Sequence, residues 1–444
     1  MDDCRYDVLG HLPPELVIKV VDYLDYKDVL SCQAVSRTWF GLLNFDIIWK
    51  RFLHDACPNK EVQPRKDFRW MVMLPCEAKL KLLNHKRVVK NWLGNAYKRH
   101  EVKGTETSFA SAYDGKTLLI SIHYPSQGFS VYRVERGKLW LQQFIKIEGV
   151  DKCDALATNT NYIAAQCGPH TLIYHFASTR KKSYKIAYVL CRGFKDGAMK
   201  KIGAKVPPDS SHNCEADPLE AVSFCLLDDT LFIHYLLAES LYAWNMEKEE
   251  LLLHTPSTVS SCGFLTDGKQ VYSSSFRVIS VFDSQADLQY TIKTQYFISK
   301  ILVNDNLVVV LHNESFAGYN KFTGSQVLTG NVGVSPHSLL HPRKDVLFDI
   351  TDNMEVYAVE LKTDDVIWSR YMSDVTQLGN LHSVAGDDCL LVTSFSGYDC
   401  EFLDSKTGLF LYNSEADGIY VSTHYDLMIY FNRRTACAIV HVYS

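Results

Sequence analysis

The stretch Tyr357-Ala358-Val359-Glu360-Leu361-Lys362-Thr363-Asp364-Asp365-Val366-Ile367-Trp368 reads as a strand, a polar turn and a second strand. Its β-branched and aromatic residues favour extended backbone, and the central Lys-Thr-Asp-Asp interrupts it. The same plan recurs at Leu241-Tyr242-Ala243-Trp244-Asn245, Ser280-Val281-Phe282-Asp283, Gly318-Tyr319-Asn320 and Phe402-Leu403-Asp404-Ser405-Lys406-Thr407-Gly408. The residue opening each turn, taken as Glu135, Ser178, Asn245, Asp283, Asn320, Glu360 and Asp404, returns about every forty residues, the period of a four-stranded propeller blade. One interval is longer and holds an insertion at 191–218.

Stacked units of this kind share one continuous core. A last unit starts near Ile419-Tyr420-Val421, continues through Leu427-Met428-Ile429-Tyr430 and ends on Ala438-Ile439-Val440-His441-Val442, one strand short. That would leave an open edge, which folded proteins avoid. Residues 98–108 are placed to supply the missing strand. The expectation is an α plus all-β chain whose β-propeller covers 104–444, with eight blades predicted and seven as the alternative.

Composition agrees with a folded chain: hydrophobic residues are 47% and charged residues 22% of the sequence. The net charge is −5, with a basic excess before residue 104 and an acidic excess after it. An acidic large domain argues against general nucleic-acid binding, which needs a basic surface. The thirteen cysteines include no CxxC pair and read as reduced thiols. The N-terminus lacks a basic region followed by an apolar one, and no stretch reaches the roughly 20 apolar residues that span a bilayer. The expected location is cytoplasm, nucleus or both, with no membrane partner.

Ahead of the repeats lies a different pattern. In Leu12-Pro13-Pro14-Glu15-Leu16-Val17-Ile18-Lys19-Val20-Val21-Asp22-Tyr23-Leu24 the prolines and Glu15 suit a first helical turn, and apolar residues follow at helical spacing. Asp25 with Asp28 opens a second helix, Ser36 caps a third before Trp39, Phe40 and Leu43, and Asp46 caps a fourth carrying Ile47, Ile48, Trp49, Phe52 and Leu53. So small a bundle buries little surface alone and gains by docking. Read without further knowledge, the same apolar stripes also describe a self-contained helical cap.

Leu12-Pro13-x-Glu15, Leu24 with Asp25, Leu30, Val35-Ser36-Arg37-x-Trp39 and Trp49 resemble the F-box signature in order and spacing. Tyr26 and Ser36 depart from it, standing where the family often has Pro and Cys. The resemblance places an F-box at 9–53. It implies docking to a Skp-type adaptor, and through it to a cullin, by Leu12, Pro13, Leu16, Val20, Leu24, Leu30, Val35 and Trp39. Trp49 is assigned to the core.

Residues 54–103 read as a basic helical linker, with Glu77-Ala78-Lys79-Leu80-Lys81-Leu82-Leu83 and the run Lys86-Arg87-Val88-Val89-Lys90-Asn91-Trp92 forming a stiff spacer. Its basic run is a solvated helix face or a site for nucleic acid or an acidic partner. Asn91-Trp92 with Gly94 and Tyr97 is similar to the segment entering the propeller of WD-repeat F-box proteins. The units at 357–368 and 402–408 are more similar to quinoprotein-type repeats, since no Trp-Asp dipeptide is present.

Quinoprotein propellers include dehydrogenases, which makes a quinoprotein-like enzyme the distant reading. The chain has no adjacent cysteines, and His212-Asn213-Cys214 with Cys191 falls short of the four ligands that structural zinc requires. No catalytic residue, metal or cofactor is expected. With the inner strand first in each blade, one face gathers the links between blades and the turns bearing His170, Glu239, Arg277, Glu314, Asp352, Arg433 and Arg434. Arg277, Arg433 and Arg434, with Lys200 and Lys201 of the insertion, are the candidate contacts for a protein target. Two readings of the insertion stand: a partner-binding loop, or a polar segment without fixed structure. The function expected is non-catalytic target recognition for a Skp–cullin–F-box ubiquitin ligase. The alternative is an F-box scaffold with no ligase role.

Overall fold

The computed structural model describes residues 8–56, 76–105, 109–123, 127–135, 137–147, 153–167, 170–177, 183–192, 199–203, 222–235, 240–256, 261–312, 315–331, 335, 337–351, 353–372, 378–384, 389–394, 400–414, 418–424, 426–432, 435 and 437–443. The chain divides into two compact units, Met1–Gly94 and Asn95–Tyr443.

The first unit is helical: α1 Val8–His11, α2 Pro14–Val21, α3 Tyr26–Gln33, α4 Arg37–Leu42, α5 Asp46–Ala56 and α6 Glu77–Leu93. Proline opens α2, where its missing N–H costs nothing. Asp25 and Asp28 form a reciprocal capping box on α3, with Asp28 N–H donating to Asp25 Oδ1 at 2.8 Å. Ser36 caps α4 by accepting from Trp39 N–H at 3.1 Å. Arg51 ties the end of α2 to α5, pairing with Asp22 and donating to the carbonyls of Val21 and Leu24.

The spacer expected at 54–103 is corrected at its helix. Asn44 Oδ1 accepts from Cys76 N–H and Asp46 Oδ1 from Ala78 N–H, each at 3.3 Å, so the entry to α5 caps α6. Cys76, Ala78 and Leu82 then share a core with Val17, Val21, Val29, Leu43, Ile48, Trp49 and Leu53. The helix is therefore built into the helical unit. Lys79, expected on a solvated face, is 7% exposed, hydrogen-bonded to Gln33 and lying 5.2 Å from the Trp49 ring. Burial lowers its pKa from the ordinary lysine value.

The second unit holds eight separate antiparallel sheets, the blades of a β-propeller. Blade one spans 111–146, blade two 155–203, blade three 222–256, blade four 261–293, blade five 300–330, blade six 339–371 and blade seven 378–414. Blade eight joins 418–424, 427–432 and 437–442 to the early strand Lys98–Lys103, which pairs with Cys437–Val442 from Lys98 opposite Val442 to Lys103 opposite Cys437. The strand missing from the last unit comes from the front of the domain.

First strands of successive blades touch one another, so each blade begins at the channel and ends at the outer wall. Burial follows from that order. Middle strands are covered on both faces and read as unbroken apolar runs, as in Leu307–Leu311, while the outer strand Asp365–Tyr371 is mostly exposed. The turn markers take their place through side-chain turns: Asp404 Oδ1 accepts from Lys406 and Thr407 N–H, and Asn320 Oδ1 from Phe322 and Thr323 N–H.

Neighbouring blades are also locked by an aromatic donor on an outer strand. Trp368 Nε1 donates to the Ser405 carbonyl at 3.2 Å, Tyr188 to the Met246 carbonyl at 3.2 Å, and Tyr290 to that of Lys321. In two of these contacts the ring lies on a glycine of positive φ: Gly408 (φ 67°) under Trp368 and Gly324 (φ 68°) under Tyr290. A side chain at either glycine would meet both a disfavoured backbone and the ring.

The insertion is corrected in part. Met199–Gly203 adds a fifth strand to the outer edge of blade two, with Lys201 opposite Leu190. Residues 193–198 and 204–221 lie outside the described residues.

Candidate functional site

The helical unit divides its apolar residues between an inner and an outer set. On α2, Val17 and Val21 are each 2% exposed in the core, while Leu16 and Val20, one turn apart, are 43% and 40% exposed. Leu12, Leu24 and Leu30 are half-buried against that core, Trp39 is half-buried, and Pro13 is exposed. Val35 stands out at 64%. The predicted set thus falls into an open group of Pro13, Leu16, Val20 and Val35 and a supporting group of Leu12, Leu24, Leu30 and Trp39.

Sequence reasoning passed over three residues that share this exposure: Tyr23 at 91%, Ile47 at 64% and Phe45 at 44%. Ile47 was read only as part of an apolar helical run. Its contrast with the buried Ile48 and Trp49 is the signal, since adjacent helical residues face different ways. Trp49 is core, as expected, and donates Nε1–H to the Leu43 carbonyl at 2.7 Å. A cleft of about 440 Å³ opens between Gln33, Ala34, Ser36, Arg37 and Phe40 at the junction of α3 and α4. The cleft thus combines apolar Ala34 and Phe40, polar Gln33 and Ser36 and the cation Arg37 beside the exposed apolar residues of the helices, an arrangement suited to seating a helical partner.

In the propeller the candidate target contacts separate. Arg277 lies in the turn between strands 271–275 and 278–282 of blade four, on the face that carries the links between blades. Lys201 is committed elsewhere: its Nζ pairs with Glu249, in the turn of blade three at the opposite face, and lies 5.0 Å from the Tyr188 ring. The register that adds Met199–Gly203 to the outer edge accounts for this, and Lys200 is carried on the same strand opposite Cys191. Arg433 and Arg434 lie outside the described residues, as do Glu239, Glu314, Asp352, His212 and Cys214.

Ionisable groups in the ring are tuned by burial. His441 is held down to about 3 by burial and the neighbouring Arg99, and His382 to about 4 by burial and Lys300. His441 stacks on Tyr97 with ring centroids 3.8 Å apart and meets the Tyr430 hydroxyl at 3.2 Å. Both imidazoles are neutral near pH 7. Among the described residues no group of three or more His, Cys, Asp or Glu could hold a metal ion. Among them, no helix is long and apolar enough to cross a membrane.

A family model described as F-box-like matches residues 9–55. Over 149 residues the chain is 26% identical to Cell division control protein 4 of Candida albicans, covering 30% of this chain and 22% of that protein. Over 59 residues it is 34% identical to the probable E3 ubiquitin ligase complex SCF subunit sconB of Arthroderma benhamiae, covering 13% of this chain and 9% of that protein. The chain therefore spans less than a quarter of the length of these curated relatives. The C-terminal WD40 domain of Sif2 superposes with a TM-score of 0.52 at 11% identity, over 78% of this chain and 98% of that one, a likeness of fold alone. The chain thus carries an F-box-like domain at residues 9–55 and, later in the sequence, an eight-bladed β-propeller.

Proposed function

We propose that this protein is the target-recognition subunit of a Skp–cullin–F-box ubiquitin ligase. The F-box-like helices dock a Skp-type adaptor, the adaptor brings a cullin, and the propeller holds the protein to be modified. The observation that carries the reading is the pairing of exposed Leu16 and Val20 with buried Val17 and Val21 on one helix of the matched domain. A wide apolar stripe that its own core covers on one side only is available to a foreign helix.

The contribution is proximity: a bound target meets ubiquitin carried by other subunits at high effective concentration. This chain supplies no catalytic residue and works in the cytoplasm or nucleus. The contact set we assign is Leu12, Pro13, Leu16, Val20, Leu24, Leu30, Val35 and Trp39, extended by Tyr23 and Ile47.

Co-purification of the full chain with a Skp-type adaptor and a cullin tests the proposal. Recovery of both, and loss of both on Leu16→Asp with Val20→Asp, is the expected result. Recovery of the adaptor without a cullin favours the scaffold reading, and recovery of neither removes the ligase assignment.

A further inference from the structure

One end of blades four and five carries an exposed aromatic group around a cation. Phe276 and Arg277 form a turn in blade four, and Tyr296 and Phe297 sit in the link to blade five. Phe276, Tyr296 and Phe297 are 38%, 62% and 48% exposed. Exposed large apolar side chains grouped on a rigid face mark an interaction surface far more often than scattered ones do.

The group is held in place. Thr294 N–H donates to the Arg277 carbonyl at 2.9 Å, Ile298 N–H to the Phe276 carbonyl at 3.0 Å, and the His312 ring nitrogen Nδ1 lies 2.9 Å from the Phe297 carbonyl. The Phe276 and Phe297 rings meet edge to face at 3.7 Å, and Tyr296 meets His312 at 5.5 Å. Little ordering entropy remains to be lost on binding.

Arg277 completes the arrangement. Its guanidinium lies 4.6 Å from the Phe297 ring centroid and 5.8 Å from that of Phe276, and no ion pair engages it among the described residues. A stacked guanidinium presents its N–H fork at the plane's edge, where a carboxylate is met by two parallel bonds. Lys293 and Gln295 beside it are exposed, so the described flank adds a positive charge and no negative one.

Resting on the receptor reading above, the geometry points to this patch as the site that takes the target. We assign as its occupant an extended protein segment bearing a large apolar side chain next to an acidic one. The apolar group lies on Phe276, Tyr296 and Phe297 while Arg277 engages the acid.

The test uses the full chain bound to its adaptor, probed with an array of twelve-residue peptides on a glycine–serine background. The peptides carry Glu-Phe, Gln-Phe, Glu-Ala and phosphoserine-Phe pairs at the centre. The expected result is that Glu-Phe binds best, that Gln-Phe and Glu-Ala each bind about tenfold more weakly, and that Arg277→Gln removes the preference for Glu over Gln. Phe297→Ser should weaken every peptide while lowering the melting temperature by no more than about 4 °C, since the ring is half exposed. Equal binding of Glu-Phe by the parent and the Arg277→Gln protein overturns the assignment. So does phosphoserine-Phe binding about tenfold above Glu-Phe, which would make this a phosphate site. Adaptor retention, measured on the same samples, reports separately on the receptor reading.

Discussion

Replacing Leu16 and Val20 together by Asp should abolish adaptor binding while leaving both units folded. Each side chain is a little over half covered by its own chain, so docking can bury the remaining 43% and 40%. Fully burying a Leu or Val is worth about 1.5–3 kcal/mol, so these remainders contribute about 1 kcal/mol each. An unpaired carboxylate driven into the same interface adds a penalty of roughly 2 kcal/mol or more per site. The pair therefore costs about 6 kcal/mol of binding, roughly ten-thousandfold in Kd. The folding cost is about 2–3 kcal/mol, because the covered half of each side chain is lost, while an acid at position 16 is favoured in the first turn of α2. Titration calorimetry of the full chain with a Skp-type adaptor, alongside thermal melts, measures both. The control is Val17→Asp, 2% exposed, which should unfold the helical unit. A double variant that keeps its adaptor affinity within about threefold would refute the division of α2 into an inner and an outer face.

Trp368→Ala should lower the apparent unfolding midpoint of the propeller by removing a half-buried indole and its bond to Ser405, a loss of about 2–4 kcal/mol read by differential scanning calorimetry. Acid sensitivity should centre on His441. Its pKa is about 3 in the fold against about 6.5 unfolded, so the unfolded chain binds the extra proton and stability falls as pH drops below 6.5, by up to about 1.4 kcal/mol per unit. His441→Phe should reduce that slope by up to about 1.4 kcal/mol per unit in melts between pH 6.5 and pH 4.5, leaving the share of His382. Deleting residues 425–444 removes Leu427–Asn432 and Cys437–Val442, the two strands that join Gly418–His424 to Lys98–Lys103, and should leave the ring unfolded or insoluble by circular dichroism and sedimentation.

Much of this was legible before any coordinates because local chemistry decides it. Caps at Asp25 and Ser36 act within three residues, and the turns at Asn320 and Asp404 satisfy their own backbone. The closing strand followed from counting edges, a rule about the whole sheet. What stayed hidden was set at long range. Asn44 and Asp46 cap α6 across thirty-two residues, so the sequence there reads as a stiff helical spacer and does not show that the helix belongs to the helical unit's core. Met199–Gly203 has no alternating pattern, and only a free edge on blade two makes it a strand. Helical periodicity marks Leu16, Val17, Val20 and Val21 alike as apolar, and cannot say which half of so wide a stripe meets its own core.

Pairing of Lys98–Lys103 with Cys437–Val442 has a consequence for synthesis. The early strand leaves the ribosome long before its partner, by roughly 15–70 s at ordinary elongation rates. During that interval its unpaired edge is exposed, and the seven intervening blades can stack only as an open arc. Nascent chains of this protein should therefore depend on holding chaperones until the final residues emerge, whereas the capped helices ahead of the seam can mature at once.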